Sequence, residues 1–430
     1  MKRRVALTGI GLLTPCGRGW QSFWDSACAN RSALRPFSRF SLPKPIELPY
    51  AGEIQDFDPK EYVKQRKSLK VMSREIQMAV AASFLALEDG GVNPEQIDCD
   101  LFGVYVGCGI INTELDEIGA GIRAGLDAEG RFQSGRFGSE GIPSLFPLWF
   151  LKYLPNMPAC HVSITYGLRG PSNTITTSSC AAAQAIGEAA RTIERGDALF
   201  MLAGGTDSKL NGIGLSRLFH LGLLAGKESM HPQDSSMDTS LSGIVPAEGA
   251  GFLVLEEYEH ALSRGARIYA EIAGYGSAAD LDGDPRYQKD LRAKELCLSR
   301  ALKDAGLSAE QIQIMIANAS GLRDQDELES QAVRSVWGRQ MEKIHITASK
   351  LVTGHLLYAA GAVDTALAAL CLYFGRVPPA EAPEGFKEVP GLSFVRELAA
   401  VSSRTAVVNS FGLTGQNACL VLNAGDRADV

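Results

Sequence analysis

The stretch that decides the fold reads Gly170-Pro171-Ser172-Asn173-Thr174-Ile175-Thr176-Thr177-Ser178-Ser179-Cys180, and an Ala-rich run follows it. A second stretch, Ser349-Lys350-Leu351-Val352-Thr353-Gly354-His355, leads into another Ala-rich run in the C-terminal half. Each pattern predicts a turn from a strand into a helix, with one reactive side chain at the turn. The helix dipole and free backbone N–H groups stabilise a thiolate at a helix N-terminus, and an imidazole beside it can bind or move charge. Together the two stretches indicate acyl chemistry on a cysteine.

Short apolar segments alternate with longer helical patterns on both sides of these stretches. The strand-like segments cover residues 5–10, 101–106, 198–203, 251–255, 314–317, 345–347 and 406–409. The helical patterns cover residues 77–88, 180–195, 292–305, 328–336 and 356–372. Short apolar strands that are bounded by turns and separated by helices are typical of α/β proteins with buried, mostly parallel sheets.

The two stretches also hint at an internal duplication. Each half carries a strand, a polar turn, a catalytic candidate and a helix rich in small residues. Small side chains let such a helix approach another backbone closely. We therefore expect both Ala-rich helices to be central, in an N-terminal half over residues 1–258 and a C-terminal half over residues 259–430. The segment 111–156 is interpreted as an insertion. It either caps a site, makes a subunit contact or folds as a surface excursion with a small core.

Composition excludes several classes of protein. The 430-residue chain has a formal net charge of −7, so it lacks the basic surface of a nucleic-acid-binding protein. Its nine cysteines form no Cys-x-x-Cys pair, which argues against a disulfide framework or a zinc site and favours a reducing, cytoplasmic compartment. It contains no apolar run long enough for a transmembrane helix, so we expect no membrane span.

Several further motifs accompany the two stretches in a fixed order. They are Thr8-Gly9-Ile10-Gly11, Gly196-Asp197-Ala198, Ala203-Gly204-Gly205, Glu248-Gly249-Ala250-Gly251 and Asn409-Ser410-Phe411-Gly412-Leu413-Thr414-Gly415-Gln416-Asn417. As an ordered set covering nearly the whole chain, they resemble the β-ketoacyl-acyl-carrier-protein synthases of the thiolase superfamily, in the elongating type II branch. The resemblance implies a duplicated thiolase-like fold of αβαβα layers with buried mixed, mostly parallel sheets.

The resemblance also assigns roles to residues. Cys180 would be the nucleophile that takes an acyl chain from a carrier-protein thioester. The backbone N–H groups of Cys180 and Phe411 would form the oxyanion hole, and Phe411 would gate the acyl pocket. His355 would hydrogen-bond the malonyl thioester carbonyl and the developing enolate. Lys350 would organise the site as a charge paired with Glu329.

The departure from the family that bears most directly on catalysis is at Ser320; the stretches Leu241-Ser242-Gly243 and Gly412-Leu413-Thr414-Gly415 also differ from the family pattern. Elongating enzymes carry a second catalytic histidine in an Asn-Ala-His-Gly-Thr type motif, whereas this chain reads Asn318-Ala319-Ser320-Gly321-Leu322. A serine hydroxyl can donate a hydrogen bond, but it is a poor base and cannot become cationic. The loss of one general acid or base typically lowers a rate by about 100- to 10,000-fold. The serine is therefore expected to weaken decarboxylation of the malonyl group, whereas acyl transfer onto Cys180 does not depend on it.

Three functions stay open on this basis. The first is a condensing enzyme of fatty-acid or polyketide biosynthesis that uses Cys180, His355 and Ser320. The second is an acyltransferase that does not condense, and the third is a subunit resembling a chain-length factor. The expected partners are an acyl-carrier protein bearing phosphopantetheine-linked acyl and malonyl groups, and a second ketosynthase-like chain in a homodimer or heterodimer. Neither a metal nor an organic cofactor is implied.

Overall fold

The computed structural model describes residues 2–225, 243–280, 290–381 and 391–425. Its strands are β1 (Val5–Thr14), β2 (Gly17–Arg18), β3 (Phe102–Gly107), β4 (Ser172–Ile175), β5 (Phe200–Asp207), β6 (Gly249–Glu257), β7 (Ala270–Ala279), β8 (Ile314–Ile316), β9 (His345–Thr347), β10 (Arg376–Val377), β11 (Ala399–Ala400), β12 (Thr405–Phe411) and β13 (Gln416–Ala424).

The helices cover the sheet and connect its strands. They are α1 (Gly19–Cys28), α2 (Arg74–Asp89), α3 (Leu115–Ala124), α4 (Ser134–Arg136), α5 (Met157–Tyr166), α6 (Ala181–Arg195), α7 (Gly212–His220), α8 (Tyr258–Ser263), α9 (Leu291–Ala305), α10 (Arg323–Trp337), α11 (Lys350–Thr353) and α12 (Ala360–Phe374). Short 3₁₀ turns at Arg66–Val71, Ser178–Cys180 and Leu357–Ala359 bear on the functional site.

One mixed sheet runs through the molecule in the order β4-β3-β5-β6-β1-β7-β13-β12-β8-β9, with β2 on β1. In the first half, β4, β3 and β5 pair in parallel, whereas β5–β6 and β6–β1 are antiparallel. In the second half, β9, β8 and β12 pair in parallel, whereas β12–β13 and β13–β7 are antiparallel. The two halves therefore repeat one strand order and one pattern of direction. The predicted α/β class with a mixed sheet is confirmed.

The two Ala-rich helices lie at the centre of the fold, as predicted. Helices α6 and α12 contact each other, and a Cβ on Gly361 would lie 2.7 Å from the backbone nitrogen of Ala183. Residues Leu357–Phe374 are long and apolar enough to cross a membrane, but 83% of this stretch is buried inside the protein, where it forms part of the core.

All the predicted strands and helices are present, within a few residues of the expected bounds. Five of the described strands had no prediction: the two-residue strands β2, β10 and β11, and the longer strands β7 and β13. In β7 the cause is Gly274 and Gly276, because glycine lowers strand propensity. A Cβ on Gly274 would lie 2.4 Å from the carbonyl oxygen of Ala301 in α9. Close packing of α9 on the sheet therefore requires the residue that weakens the strand pattern.

Residues 111–156 form a region of short helices and turns that contains α3 and α4. The region has polar and aromatic contacts of its own, including a hydrogen bond from the Tyr153 hydroxyl to Glu117 at 2.7 Å and ring packing of Trp149 on Tyr153. On its outside and immediately beside it, large apolar side chains are more than half exposed. These are Ile110, Leu115, Phe132, Ile142, Phe146, Phe150 and Ile164. Several large exposed apolar side chains in one segment of the chain favour an interaction site.

Candidate active site

Cys180 ends the 3₁₀ turn Ser178–Cys180 and directly precedes α6. The turn is tight, because Ser178 has a left-handed φ of 62°. The thiol is fully buried and donates a hydrogen bond to the carbonyl oxygen of Thr177 at 3.0 Å. Burial raises the pKa of Cys180 to about 12, against the hydrogen bond with Thr177. Desolvation of the buried thiol therefore opposes the thiolate that the helix N-terminus favours.

His355 follows α11 across Gly354, which has a left-handed φ of 78°. Its backbone is held on both sides, since its N–H donates to Val245 at 2.8 Å and its carbonyl accepts from Ala247 at 3.0 Å. Nδ1 accepts a hydrogen bond from the N–H of Leu357 at 3.0 Å, which places the ring proton on Nε2.

That Nε2 has no hydrogen-bond partner among the residues that the structure describes, although His355 is only 2% exposed. Burial lowers the pKa of His355 well below its usual value, and the nearby charge of Lys350 lowers it further. The imidazole is therefore neutral near pH 7, with one N–H donor available to a substrate.

The fold brings the two predicted stretches together. The turn Leu357–Ala359, which begins two residues after His355, contacts the turn Ser178–Cys180 and the start of α6. The thiol and the imidazole thus belong to neighbouring turns. Each turn stands at the N-terminus of a central helix, one in each half of the sheet.

The resemblance predicts that Lys350 pairs with Glu329, but in the structure Lys350 pairs with Asp364. Its Nζ lies 2.7 Å from Oδ2 of Asp364, and Ser349 donates to the other oxygen of the same carboxylate. Asp364 projects from the first turns of α12. Since both side chains of the pair are buried, Asp364 satisfies a lysine that would otherwise be an uncompensated charge.

Glu329 has a different role. It accepts hydrogen bonds from the N–H groups of Asn318 at 2.7 Å and Ala319 at 2.9 Å, and from the side-chain amide of Asn409 at 2.9 Å. Burial raises the pKa of Glu329, and these donors oppose that shift. Glu329 therefore ties the segment after β8 to strand β12.

Ser320 lies at the start of α10. Its hydroxyl donates to Oδ1 of Asp326 at 2.8 Å and accepts from the N–H of Leu322 at 3.2 Å. Asp326 also accepts from the N–H groups of Ser320 and Gly321, and burial raises the pKa of Asp326 to about 7, with the charge of Glu329 adding to the rise. The hydroxyl proton is therefore engaged inside the protein in this state.

Phe411 and the hairpin after it cover the thiol. The Phe411 carbonyl accepts a hydrogen bond from Ser179 at 3.4 Å, and its N–H donates to Oδ1 of Asn318 at 3.2 Å. A Cβ on Gly412 would lie 3.2 Å from Sγ of Cys180. Because the Phe411 N–H is already engaged, the expected oxyanion hole can accept a substrate only after this hydrogen bond breaks.

Two family models match consecutive stretches of the chain. The N-terminal domain of β-ketoacyl synthases matches residues 2–261, and the C-terminal domain matches residues 269–382. The chain belongs to the β-ketoacyl synthase family. The resemblance inferred from the ordered motifs is thus confirmed.

Relatives of this ketosynthase include curated enzymes of known type. It is 32% identical to 3-oxoacyl-[acyl-carrier-protein] synthase 2 of Coxiella burnetii, over 98% of this chain and 99% of the relative. Among solved structures, the ishigamide ketosynthase/chain length factor superposes with a TM-score of 0.84 at 26% identity, covering 99% of this chain and 100% of that one. A type II polyketide ketosynthase, solved with its acyl-carrier protein, gives a TM-score of 0.77 at 27% identity over the same shares of the two chains.

Sequence reasoning missed two buried charged residues of this ketosynthase. Asp364 is the one acidic residue of α12, and a lone carboxylate in an Ala-rich helix was an available signal. Lys294 is fully buried in α9, three residues before Cys297 on the same face of the helix. A lysine at an apolar helical spacing was the signal there.

Proposed function

We propose that this ketosynthase transfers an acyl group from an acyl-carrier protein to Cys180 and condenses it with a malonyl group, as in fatty-acid or polyketide biosynthesis. The observation that carries the proposal is the neutral imidazole of His355. It is buried on the turn beside the nucleophile, and its Nε2–H is unpaired within the described residues. Such a donor can stabilise negative charge that develops on an oxygen in a water-excluded site.

In the transfer step, Sγ of Cys180 attacks the carbonyl carbon of the carrier thioester. The carbon–sulfur bond to the carrier breaks, and the proton of Cys180 leaves with the carrier thiol. Transfer requires the hairpin after Phe411 to move, because Gly412 lies against Sγ. The same movement frees the Phe411 N–H from Asn318, so that opening of the site and completion of the oxyanion hole are coupled.

In the condensation step, the malonyl group loses its carboxylate as carbon dioxide, and the resulting enolate attacks the acyl carbon on Cys180. Cys180 leaves as a thiolate as the new carbon–carbon bond forms, and it regains its thiol by taking up a proton from solvent. The Nε2–H of His355 donates to the malonyl thioester carbonyl, where the enolate charge develops. Burial keeps the imidazole neutral by lowering the pKa of His355, and Lys350 acts on this step through its charge, which adds to that shift.

A basic segment supports a carrier-protein partner. Lys64, Arg66, Lys67 and Lys70 are exposed on and beside the turn Arg66–Val71. Carrier proteins are acidic, and complementary charge speeds and orients encounter. We propose that this basic segment docks the carrier protein.

The exposed apolar side chains between Ile110 and Ile164 support the proposal of a partner subunit. The Phe and Ile side chains among them suit burial against a second ketosynthase-like chain. The proposal is a dimer formed through these side chains, either of two copies or with a related chain.

A second candidate function is favoured by the engaged hydroxyl of Ser320. Suppose that the Ser320 hydroxyl serves only Asp326 and Leu322. His355 is then the one catalytic histidine proposed among the described residues, whereas elongating enzymes carry two. The chain would then load and unload acyl groups without condensing them, or it would serve beside an intact ketosynthase, like a chain-length factor.

Intact-mass analysis with acyl-carrier protein and malonyl-carrier protein separates these functions. An acyl adduct on Cys180 together with β-ketoacyl product supports condensation. An adduct without product supports the non-condensing function. Cys180→Ala must abolish the adduct, and absence of an adduct on the unaltered protein would overturn the nucleophile assignment.

A further inference from the structure

The ring of Phe411 has a buried cation beneath it. Nζ of Lys294 lies 5.5 Å from the ring centroid, within the range of a cation–π contact. Lys294 is 0% exposed, and its Nζ has no hydrogen-bond partner within the described ranges. An ammonium group without such a partner is costly in a protein interior, so the ring is a significant part of its compensation.

The surroundings place this ammonium beside the hairpin that must move. Strand register pairs Phe411 with Asn417 across β12 and β13, so both side chains lie on one face of the ladder. Asn417 is fully buried, and its Oδ1 is a further unpaired atom within the described part of the chain. The N–H of Asp280 donates to Gly415 in the turn of the same hairpin at 2.7 Å.

Carboxylates help to keep Lys294 charged. Burial lowers the pKa of Lys294, whereas Asp280, then Glu329 and Asp290, raise it again. These groups approach from β7, α10 and the start of α9, so the cation is balanced from several elements at once. The thiol of Cys297 also faces it from α9.

We propose that Lys294 is a positioning residue that latches the Phe411 gate over Cys180 through a cation–π contact. The latch acts on the ring, while Asn318 and Ser179 hold the backbone of the same residue. Entry of an acyl chain displaces the ring and gives up the contact. The inference rests on the proposed role of Phe411 as the gate, but it requires no acyl chemistry.

The test measures gate opening by alkylation of Cys180. The protein is treated with iodoacetamide, and modification of the Cys180 peptide is followed by mass spectrometry. Lys294→Met keeps the length of the side chain and removes its charge. A cation–π contact of the usual buried strength corresponds to about five- to thirtyfold in the open population, so we expect labelling of Cys180 to accelerate by that factor.

Two controls separate a latch from a general loosening. Cys371 in α12 is fully buried, so its peptide reports global opening and must stay unlabelled in Lys294→Met. In a Phe411→Leu background, which removes the aromatic face, Lys294→Met must add no further acceleration. The latch is overturned if Lys294→Met leaves the labelling rate of Cys180 unchanged. It is also overturned if Lys294→Met gives an equal acceleration in the Phe411→Leu background, or if Cys371 is labelled in parallel. Failure of the proposed function is read separately, as absence of the acyl adduct.

Discussion

Oγ of Ser320 donates to Oδ1 of Asp326 at 2.8 Å, and this hydrogen bond joins the loop after β8 to the first turn of α10. The resemblance inferred from the motifs predicts that Ser320 occupies the position of an imidazole in elongating ketosynthases. The bond gives the serine a structural task at the helix start, which leads to a direct test of its part in catalysis.

Ser320→Ala should lower stability by about 1 kcal/mol, as for loss of one buried hydrogen bond, and leave condensation unchanged. Ser320→His should raise the rate of β-ketoacyl formation by about 100-fold or more, by restoring a second imidazole. Both variants are compared at equal Cys180 acylation, read by intact mass. Loss of condensation in a folded Ser320→Ala protein would show that the hydroxyl takes part in catalysis.

The Lys350–Asp364 pair predicts a pattern of stability changes. Lys350→Met leaves a buried carboxylate unpaired and should lower the free energy of unfolding by about 3–5 kcal/mol. The double variant Lys350→Met/Asp364→Leu should recover most of this loss. Glu329→Gln in the Lys350→Met background is the matched control. Unfolding free energies are measured by urea denaturation. If Glu329→Gln recovers the stability lost in Lys350→Met, then Glu329 is the partner of Lys350.

The depressed pKa of His355 predicts a pH effect on stability. The unfolded chain binds a proton at this histidine near pH 6.5, whereas the folded chain does not. Stability from this group is therefore full above about pH 6.5 and falls as the pH drops, by up to about 1.4 kcal/mol per pH unit. His355→Gln removes this dependence. The measurement is the stability difference between the two proteins from pH 7.5 to 5, and a constant difference would contradict it.

The basic segment predicts a change in carrier-protein affinity. Lys67→Glu/Lys70→Glu should raise KM for the carrier substrate by about tenfold, with kcat unchanged and the effect weakened by salt. Arg339→Glu/Lys343→Glu makes the same charge change on another exposed turn and serves as the control. Equal effects of the two pairs in steady-state kinetics would assign the result to net charge alone.

The parts of this structure that sequence predicts well depend on local pattern. Apolar runs mark most strands, and small residues mark α6 and α12, because burial leaves a periodic trace in the sequence. The partner of Lys350 depends on where the tertiary fold places Asp364 of α12, whereas the family resemblance favoured Glu329. The pKa of Cys180 depends on burial under a hairpin from the other half of the chain. The local sequence around Cys180 shows that the thiol lies at a helix N-terminus, but it does not show that a hairpin covers the thiol.

The repeated strand order divides the chemistry between two copies of one structural unit. The first copy supplies the nucleophile after β4, and the second supplies His355 after β9 and Ser320 after β8. In the proposed function, the nucleophile therefore comes from one repeat and the imidazole that activates the extender unit comes from the other. Phe411 of the second repeat completes the oxyanion hole for loading, so loading draws on both repeats. A change confined to the segment after β8 can then weaken carbon–carbon bond formation while Cys180 and Phe411 stay in place, so a fold of two repeated units can lose one half-reaction at a time.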